Sequence, residues 1–497
     1  DTYNVGIGYN AGLSITSGLR NTAVGGLALD ALTTENDNVA VGYNALGSEV
    51  AGFRNTAVGS SSGSTQNGGT NNALFGYAAG NAITTGDANT FIGSDCGDAT
   101  TTASYNTAVG QNAMGANTTG AENVAVGAAA LDANTTGDYN TALGKGSLSA
   151  NTTANNNTAL GYQALLLNTT GASNTAVGAN ALDENTTGDN NTALGLSALN
   201  KNTTADNNTG IGYNALGANT TGAQQVAVGG SAMESNTTGY NNTAVGWESM
   251  KANTTGALNV AVGQQAMLAN TTGDKNVCVG HNTLAALTTA DNNTAIGDNA
   301  MAANTTGYDN VAVGRNALDA NVGGHSNTAL GESSLTSNTE GDRNVAIGQN
   351  ALGVNTTGGE NVAVGRGALD ANTTASSNTA VGDSALGVNT TGAQNVAVGD
   401  TALDANTTAD KNTAVGQAAL SSNTTGGENT AVGRAALNGN STGSNNVAVG
   451  VSALIDNTTG HSNVAVGHTS LFVNTTGISN TAVGASALDA NTTADNN

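Results

Sequence analysis

The stretch Asn174-Thr175-Ala176-Val177-Gly178-Ala179-Asn180-Ala181-Leu182-Asp183-Glu184-Asn185-Thr186-Thr187-Gly188-Asp189-Asn190 decides the fold, because the chain repeats it at a fixed step of 17 residues. Gly178 has counterparts at Gly8, Gly25, Gly42, Gly59, Gly76, Gly93 and Gly110, and onward through Gly297 and Gly399 to Gly484. That makes 29 glycines in one register, without insertion or deletion. We number the positions of the unit as slots 1 to 17, starting at the Asn. A fixed short period is the signature of a solenoid, in which each turn of chain stacks on the last and contacts mainly its neighbours.

Comparing the units shows which slots are constrained. Slot 1 is Asn in 28 of 29 units, with Gln225 the exception; slot 4 is always apolar, and slot 5 is always Gly. Slot 8 is small, and slot 9 is Leu or Met in 25 units but never Val or Ile. Slots 6, 7, 10, 11, 16 and 17 vary freely. Slots 1 to 5 therefore read as a short strand ending at Gly, and Asn-Thr-Thr-Gly supplies a turn. Slot 9, shunning β-branched residues, suits a tightly turned segment better than a strand. Stacked strands lie about 4.8 Å apart, too close for α-helices, which need about 8–10 Å. Slots 7 to 11 are thus expected to form a 3₁₀ turn or a second short strand. The fold class is an all-β or mainly β repeat protein, a β-solenoid or β-roll of about 29 rungs with parallel in-register strands. The rungs would extend on the order of 140 Å.

Alternation places slots 2 and 4 on one side of the strand and slot 3 on the other. The apolar slot 4 is expected to face the rung interior with slot 2 bordering it, which sends slot 3 outward. Slot 3 is nonetheless small in 27 of 29 units and never polar, so it must pack against a second wall of the same chain or other copies of the chain. The structural ladder expected from the clean unit is Asn174, Ala176, Val177, Gly178 and Leu182, with the slot 1 amides bonding to the rungs on either side.

Composition excludes several classes of function. The 497 residues include 70 Gly and no Pro, only 9% are charged, and the net charge is −24. Such acidity disfavours nucleic acid and anionic membranes as partners, and no apolar run reaches the ~20 residues of a membrane span. His281 and His468 occupy slot 6, His325 and His461 slot 16, and none pairs with a carboxylate in a fixed slot. No nucleophile–base pair, metal set or cofactor motif emerges, so the reading is not an enzyme. Cys96 and Cys278 each replace small residues and are expected to be buried free thiols.

Slots 12 to 14 read Asn-x-Thr in 20 units, each an N-glycosylation acceptor pattern. These candidates are Asn117, Asn134, Asn151, Asn168, Asn185, Asn202, Asn219, Asn236, Asn253, Asn270, Asn304, Asn355, Asn372, Asn389, Asn406, Asn423, Asn440, Asn457, Asn474 and Asn491. A turn that favours Asn-Thr-Thr-Gly would write the same sequence. Threonine rows also raise ice binding as a minor alternative, disfavoured because the threonines of slots 13 and 14 are adjacent and would point apart.

Asn-Thr-Ala-Leu-Gly-Tyr-Gln-Ala-Leu (157–165), followed by Asn168-Thr169-Thr170-Gly171, resembles the 17-residue repeats of tail-fibre-type and surface-fibre proteins from bacteria, phages, algal viruses and algae. More distantly, Asn123-Val124-Ala125-Val126-Gly127 is similar to the head repeat of trimeric autotransporter adhesins. The resemblance implies an extracellular, cell-surface or virion-surface fibre shaft, often trimeric. Residues 1–105 depart from the pattern: slot 9 becomes Gly12, Gly63, Gly80 and Gly97, and Leu74 and Phe91 replace the slot 3 Ala. We read 1–105 as divergent repeats of the same solenoid and 106–497 as regular repeats. Both ends fall in mid-repeat, as in a section of a longer protein or of an end-to-end filament. The expected function is a structural, self-assembling filament or shaft, its partner another copy of itself and its candidate covalent additions glycans. The alternative is an adhesin or receptor-binding fibre.

Overall fold

The computed structural model describes residues 2–497, which form a parallel β-solenoid with one turn of chain every 17 residues and no helix among them. It divides into two compact units, Asp1–Glu248 and Ser249–Asn497. In the first, strands run from β1 (Val5–Ile7) to β15 (Thr243–Val245); in the second, from β16 (Val260–Val262) to β29 (Thr481–Val483). Every strand has three residues, slots 2 to 4, and within each unit pairs in parallel with the next at an offset of 17. Thr158–Leu160 meets Thr175–Val177, which meets Thr192–Leu194.

Backbone bonding reaches well beyond these strands. In the clean unit the N–H groups of Thr175, Leu182, Glu184 and Thr186 donate to the following turn, at Asn191, Ala198, Asn200 and Thr203 (2.8–3.0 Å). Those of Gly178, Asn180 and Asn190 donate to the preceding turn, at Leu160, Tyr162 and Ala172 (2.8–3.1 Å). A proline at any of these slots would remove a donor between turns, which accounts for its absence from the chain.

The structure reverses the expected sense of the strand. Slot 3 points inward: Ala176, Ala193 and their equivalents are fully buried, whereas Thr175 and Val177 face outward and are partly exposed. Of the two packings open to slot 3, the second wall of the same chain is the one seen. At Gly210, which lacks the usual methyl, a Cβ would lie 3.1 Å from Leu199, so slots 3 and 9 meet across the interior. The core is therefore one alanine and one leucine thick, closed by slots 1, 8, 12 and 15.

Slots 7 to 11 form neither a 3₁₀ turn nor a strand. They make successive turns in which slots 7 and 9 adopt left-handed backbone, as at Asn180 and Leu182 (φ 54° each). Val and Ile are excluded from slot 9 because branching at Cβ clashes in that conformation. Leucine tolerates it at about 1–2 kcal/mol, offset by the roughly 2 kcal/mol from burying its side chain. Gly178 at slot 5 has φ 129°, and a Cβ there would strike the Gly195 carbonyl oxygen at 2.5 Å. No other residue fits that slot.

The divergent stretch 1–105 keeps the same pairing, from Val5↔Thr22 to Ile92↔Val109. Its departures are exchanges of volume inside the core. Where slot 9 is Gly97, the Phe91 ring takes the space, and a methyl at Gly97 would lie 2.5 Å from it. At Gly80 the space is filled by Ile83 and Leu74, each within 3 Å of the point a methyl on that glycine would occupy. Phe91→Ala alone should cost about 3–5 kcal/mol through its cavity, and Gly97→Leu alone about 1–3 kcal/mol through overpacking. The double variant should lose less than the sum, as a double-mutant cycle on chemical denaturation midpoints would show; strict additivity would refute the exchange.

Candidate functional site

The slot 1 asparagine clamps turns together through backbone partners. Asn174 Nδ2 donates to the Gly188 carbonyl (2.8 Å), and its Oδ1 accepts the N–H of Asn191 (2.8 Å), so both bonds run to the turn that follows. In some turns the slot 1 amide also bonds that of the preceding turn, as Asn276 Nδ2 does to Asn259 Oδ1 (3.2 Å) and Asn89 Nδ2 to Asn72 Oδ1 (3.1 Å). A more continuous ladder of amide on amide runs at slot 12. Asn185 Nδ2 donates to Asn168 Oδ1 (2.8 Å) and to the Gly188 carbonyl (3.0 Å), and its Oδ1 accepts from Asn202 Nδ2 (3.0 Å). In the first unit the ladder runs unbroken from Asn117 to Asn236. In the second it links Asn253 to Asn270, gives way to Leu287, and resumes from Asn304 to Asn491.

This geometry bears directly on the glycan acceptors. All of them from Asn117 to Asn474 are fully buried, and Asn491 is partly exposed. Both Nδ2 hydrogens of Asn185 are engaged, so a sugar on that nitrogen would break a ladder bond and need space that the core lacks. The threonines of the pattern differ: Thr186 Oγ1 donates to the Thr203 carbonyl (3.0 Å), whereas Thr187 is exposed. In folded protein, intact-mass and peptide mass spectrometry should find Asn185 unmodified. Asn185→Ala should destabilise by about 1–3 kcal/mol, because it orphans buried partners on both sides. A glycan on Asn185 of folded chain would overturn this placement.

Several of the ionisable groups are paired by a rule that the slot-by-slot reading missed. A cation and the carboxylate 17 residues away share one slot on neighbouring turns. Arg20 bonds Asp37 (2.6 Å), Arg366 bonds Asp383 (2.9 Å), Arg343 bonds Glu360 (3.1 Å), and Lys201–Glu184 and Arg315–Glu332 pair likewise. The hydrogen bond and charge of the partner guanidinium hold the carboxyls of Asp37 and Asp383 below their ordinary range. His281 contacts Asp298 (2.9 Å) and His325 contacts Asp342 (3.1 Å) in the same way, with the His325 ring stacked on Tyr308. The signal was present as charge complementarity at i and i+17. Exposed pairs of this kind are screened by solvent and add little to stability, but each opposes a slip of register. Among the described residues no group of three His, Cys, Asp or Glu side chains is placed to hold a metal ion.

Both cysteines are free and buried. Burial pushes the Cys96 thiol up to about 12, and Cys278 is raised by the same cause; neither forms thiolate at neutral pH. The unusual ionisable group is Glu49, which takes slot 12 in a turn without the Asn. It is fully buried, its Oε1 accepts the N–H groups of Gly52 and Gly68, and its Oε2 has no partner. On the next turn Gln66 Oε1 is also buried and unpartnered. Burial raises the Glu49 carboxyl above its ordinary range. The folded chain thus binds this proton more tightly than the unfolded chain. The resulting stability is complete below the ordinary carboxylate pKa and is lost as pH rises through the raised value. Thermal unfolding followed by circular dichroism should show Glu49→Gln removing that loss as pH rises above the ordinary carboxylate range; an unchanged pH profile would sink the assignment.

Comparison with known protein-family models and with curated proteins found no match for this sequence.

Proposed function

We propose that the chain is a structural element of an extracellular, cell-surface or virion-surface fibre, a filament or shaft whose activity is self-assembly rather than catalysis. One observation carries the reading: the most tightly held slots are those that join one turn to the next. Slot 1 clamps turns through its amide, slots 3, 8 and 9 fill the core, and slot 5 admits the close backbone contact. The tyrosines, histidines and most charged groups lie in slots that change from turn to turn. Enzymes hold their chemical groups fixed in a preorganised constellation, whereas here the fixed groups hold the scaffold. The resemblance to 17-residue fibre repeats supports the same reading. The asparagine rows contribute to it as internal ladders rather than as a glycan stripe.

An adhesin or receptor-binding role is the second reading, favoured by the exposed aromatic residues of slot 6, among them Tyr9, Tyr43, Tyr77 and Trp247. Electron microscopy of native material separates the two. A shaft should give uniform filaments with a layer spacing near 4.8 Å and no ligand density at slot 6. Compact, non-filamentous particles would remove the shaft reading, and ligand density along slot 6 would favour the second.

A further inference from the structure

The outward face of the strands is a surface that the shaft reading leaves without a role. In the unit Asp1–Glu248 it is made of slots 2 and 4, with slot 6 along one border. Slot 2 is Thr or Val in every turn but one, slot 4 is Val, Leu, Ile or Phe, and neither carries a charge in any of the 29 units. Most of these side chains are partly exposed, and several of the larger ones more so: Val124 is 39% accessible, Leu143 43%, Leu160 42% and Leu194 46%. Slot 6 adds Tyr43, Tyr77, Tyr162, Tyr213 and Trp247, all exposed. Two of these rings lie against the glycine of the preceding turn: a methyl at Gly26 would sit 3.6 Å from Tyr43, and one at Gly230 would sit 3.3 Å from Trp247.

We propose that this face of the Asp1–Glu248 unit docks against the same face of a second copy of the chain, sheet on sheet. The inference rests on the shaft reading and adds to it the contact surface and the partner. Area is the first argument. Slots 2 and 4 of the strands β1 to β15 together present on the order of 1,000 Å² of mixed threonine and aliphatic surface, more than the few hundred Å² of patch that monomers usually show. A stable interface needs about 800 Å² from each partner, so the face exceeds the requirement. Charge is the second. An acidic chain repels its own copies, and the acids of this unit are kept off slots 2, 4 and 6, where Lys145 is the one Lys, Arg, Asp or Glu. The slot 6 border of Ser249–Asn497 differs, with Arg315, Glu332, Arg366 and Asp383 among its residues. Composition is the third, since tyrosine and tryptophan are enriched in protein interfaces over the rest of the surface, and here they flank the aliphatic strip. A face that meets its own equivalent gives a two-fold, isologous pair, with the sheets about 10 Å apart.

The test is sedimentation of the full chain over a range of concentrations, with far-UV circular dichroism as the check on folding. The wild-type chain should sediment as two copies. The variant Leu143→Glu/Val177→Glu/Ile211→Glu should sediment as one copy with an unchanged spectrum, its dimer affinity reduced at least a hundredfold. The control Thr136→Glu/Thr170→Glu/Thr204→Glu, on exposed slot 14, should stay paired. A wild-type chain that is single at every concentration, a three-copy assembly, or a face variant that pairs as well as the control would each overturn the proposal. So would binding of a soluble β-linked oligosaccharide to this face without self-association. A three-copy assembly, or a face variant that pairs as well as the control, overturns the docking face alone; the shaft reading is judged separately and fails if the native material lacks filaments.

Discussion

The fixed 17-residue pitch is the constraint on which everything else depends. Each turn gives its N–H groups to carbonyls one pitch away, in both directions, through at least seven slots of the clean unit. A single inserted residue would displace all of these bonds together and would exchange inward for outward side chains along the strand. The chain keeps its register through 29 glycines without one insertion. The asparagine clamp, the slot 12 ladder and the same-slot ion pairs are further expressions of that pitch, each linking residues 17 or 14 apart.

Much of this is legible in the sequence, and the parts that are not have identifiable causes. Period, strand position, parallel register and the Gly at slot 5 follow from self-similarity and need no knowledge of the interior. The direction of the strand does not follow, because a three-residue strand gives alternation only one full cycle. The larger residues of slot 4 suggest a core, yet the solenoid is so thin that only alanine fits opposite Leu182. Invariant smallness at slot 3 is the better guide to burial than hydrophobic size at slot 4. Slot 9 misleads for a related reason. Avoidance of Val and Ile is shared by helices and by left-handed backbone, and the glycines that replace Leu in slot 9 at Gly12, Gly63, Gly80 and Gly97 are the clue that separates the two.

The asparagine rows show how a motif can be right in letter and different in meaning. Asn-Thr-Thr is written in most turns because each letter has its own structural role. The amide continues a ladder, the first threonine bonds the next turn, and only the second faces solvent. Where the Asn is missing the substitutes are also internal, as with Ile83, Leu287 and Glu49. An aliphatic residue restores the core without hydrogen bonds. A carboxyl must find donors, and Glu49 takes them from two glycines while leaving one oxygen without a partner. Replacing Asn at slot 12 is therefore tolerable only when the whole local cross-section changes with it, which places most such replacements in the divergent stretch 1–105.

Charge distribution connects the fold to the proposed assembly. A chain with net charge −24 must place acids somewhere on a surface that repeats about every 4.8 Å, and like charges stacked in one slot repel at that distance. The chain relieves this in two ways: cations placed one pitch away in the same slot, as at Arg366 and Asp383, and carboxylates that accept a backbone N–H from the neighbouring turn, as Asp206 does from Asp189. Both devices use the variable slots and leave slots 2 and 4 uncharged throughout. Solvation alone gives no reason for that restriction, since outward strand positions in a solitary solenoid would accept Lys or Glu as readily as Thr. The exclusion of charge from an exposed face, maintained through every turn while neighbouring slots vary, is the property expected of a surface that is covered in the assembled protein.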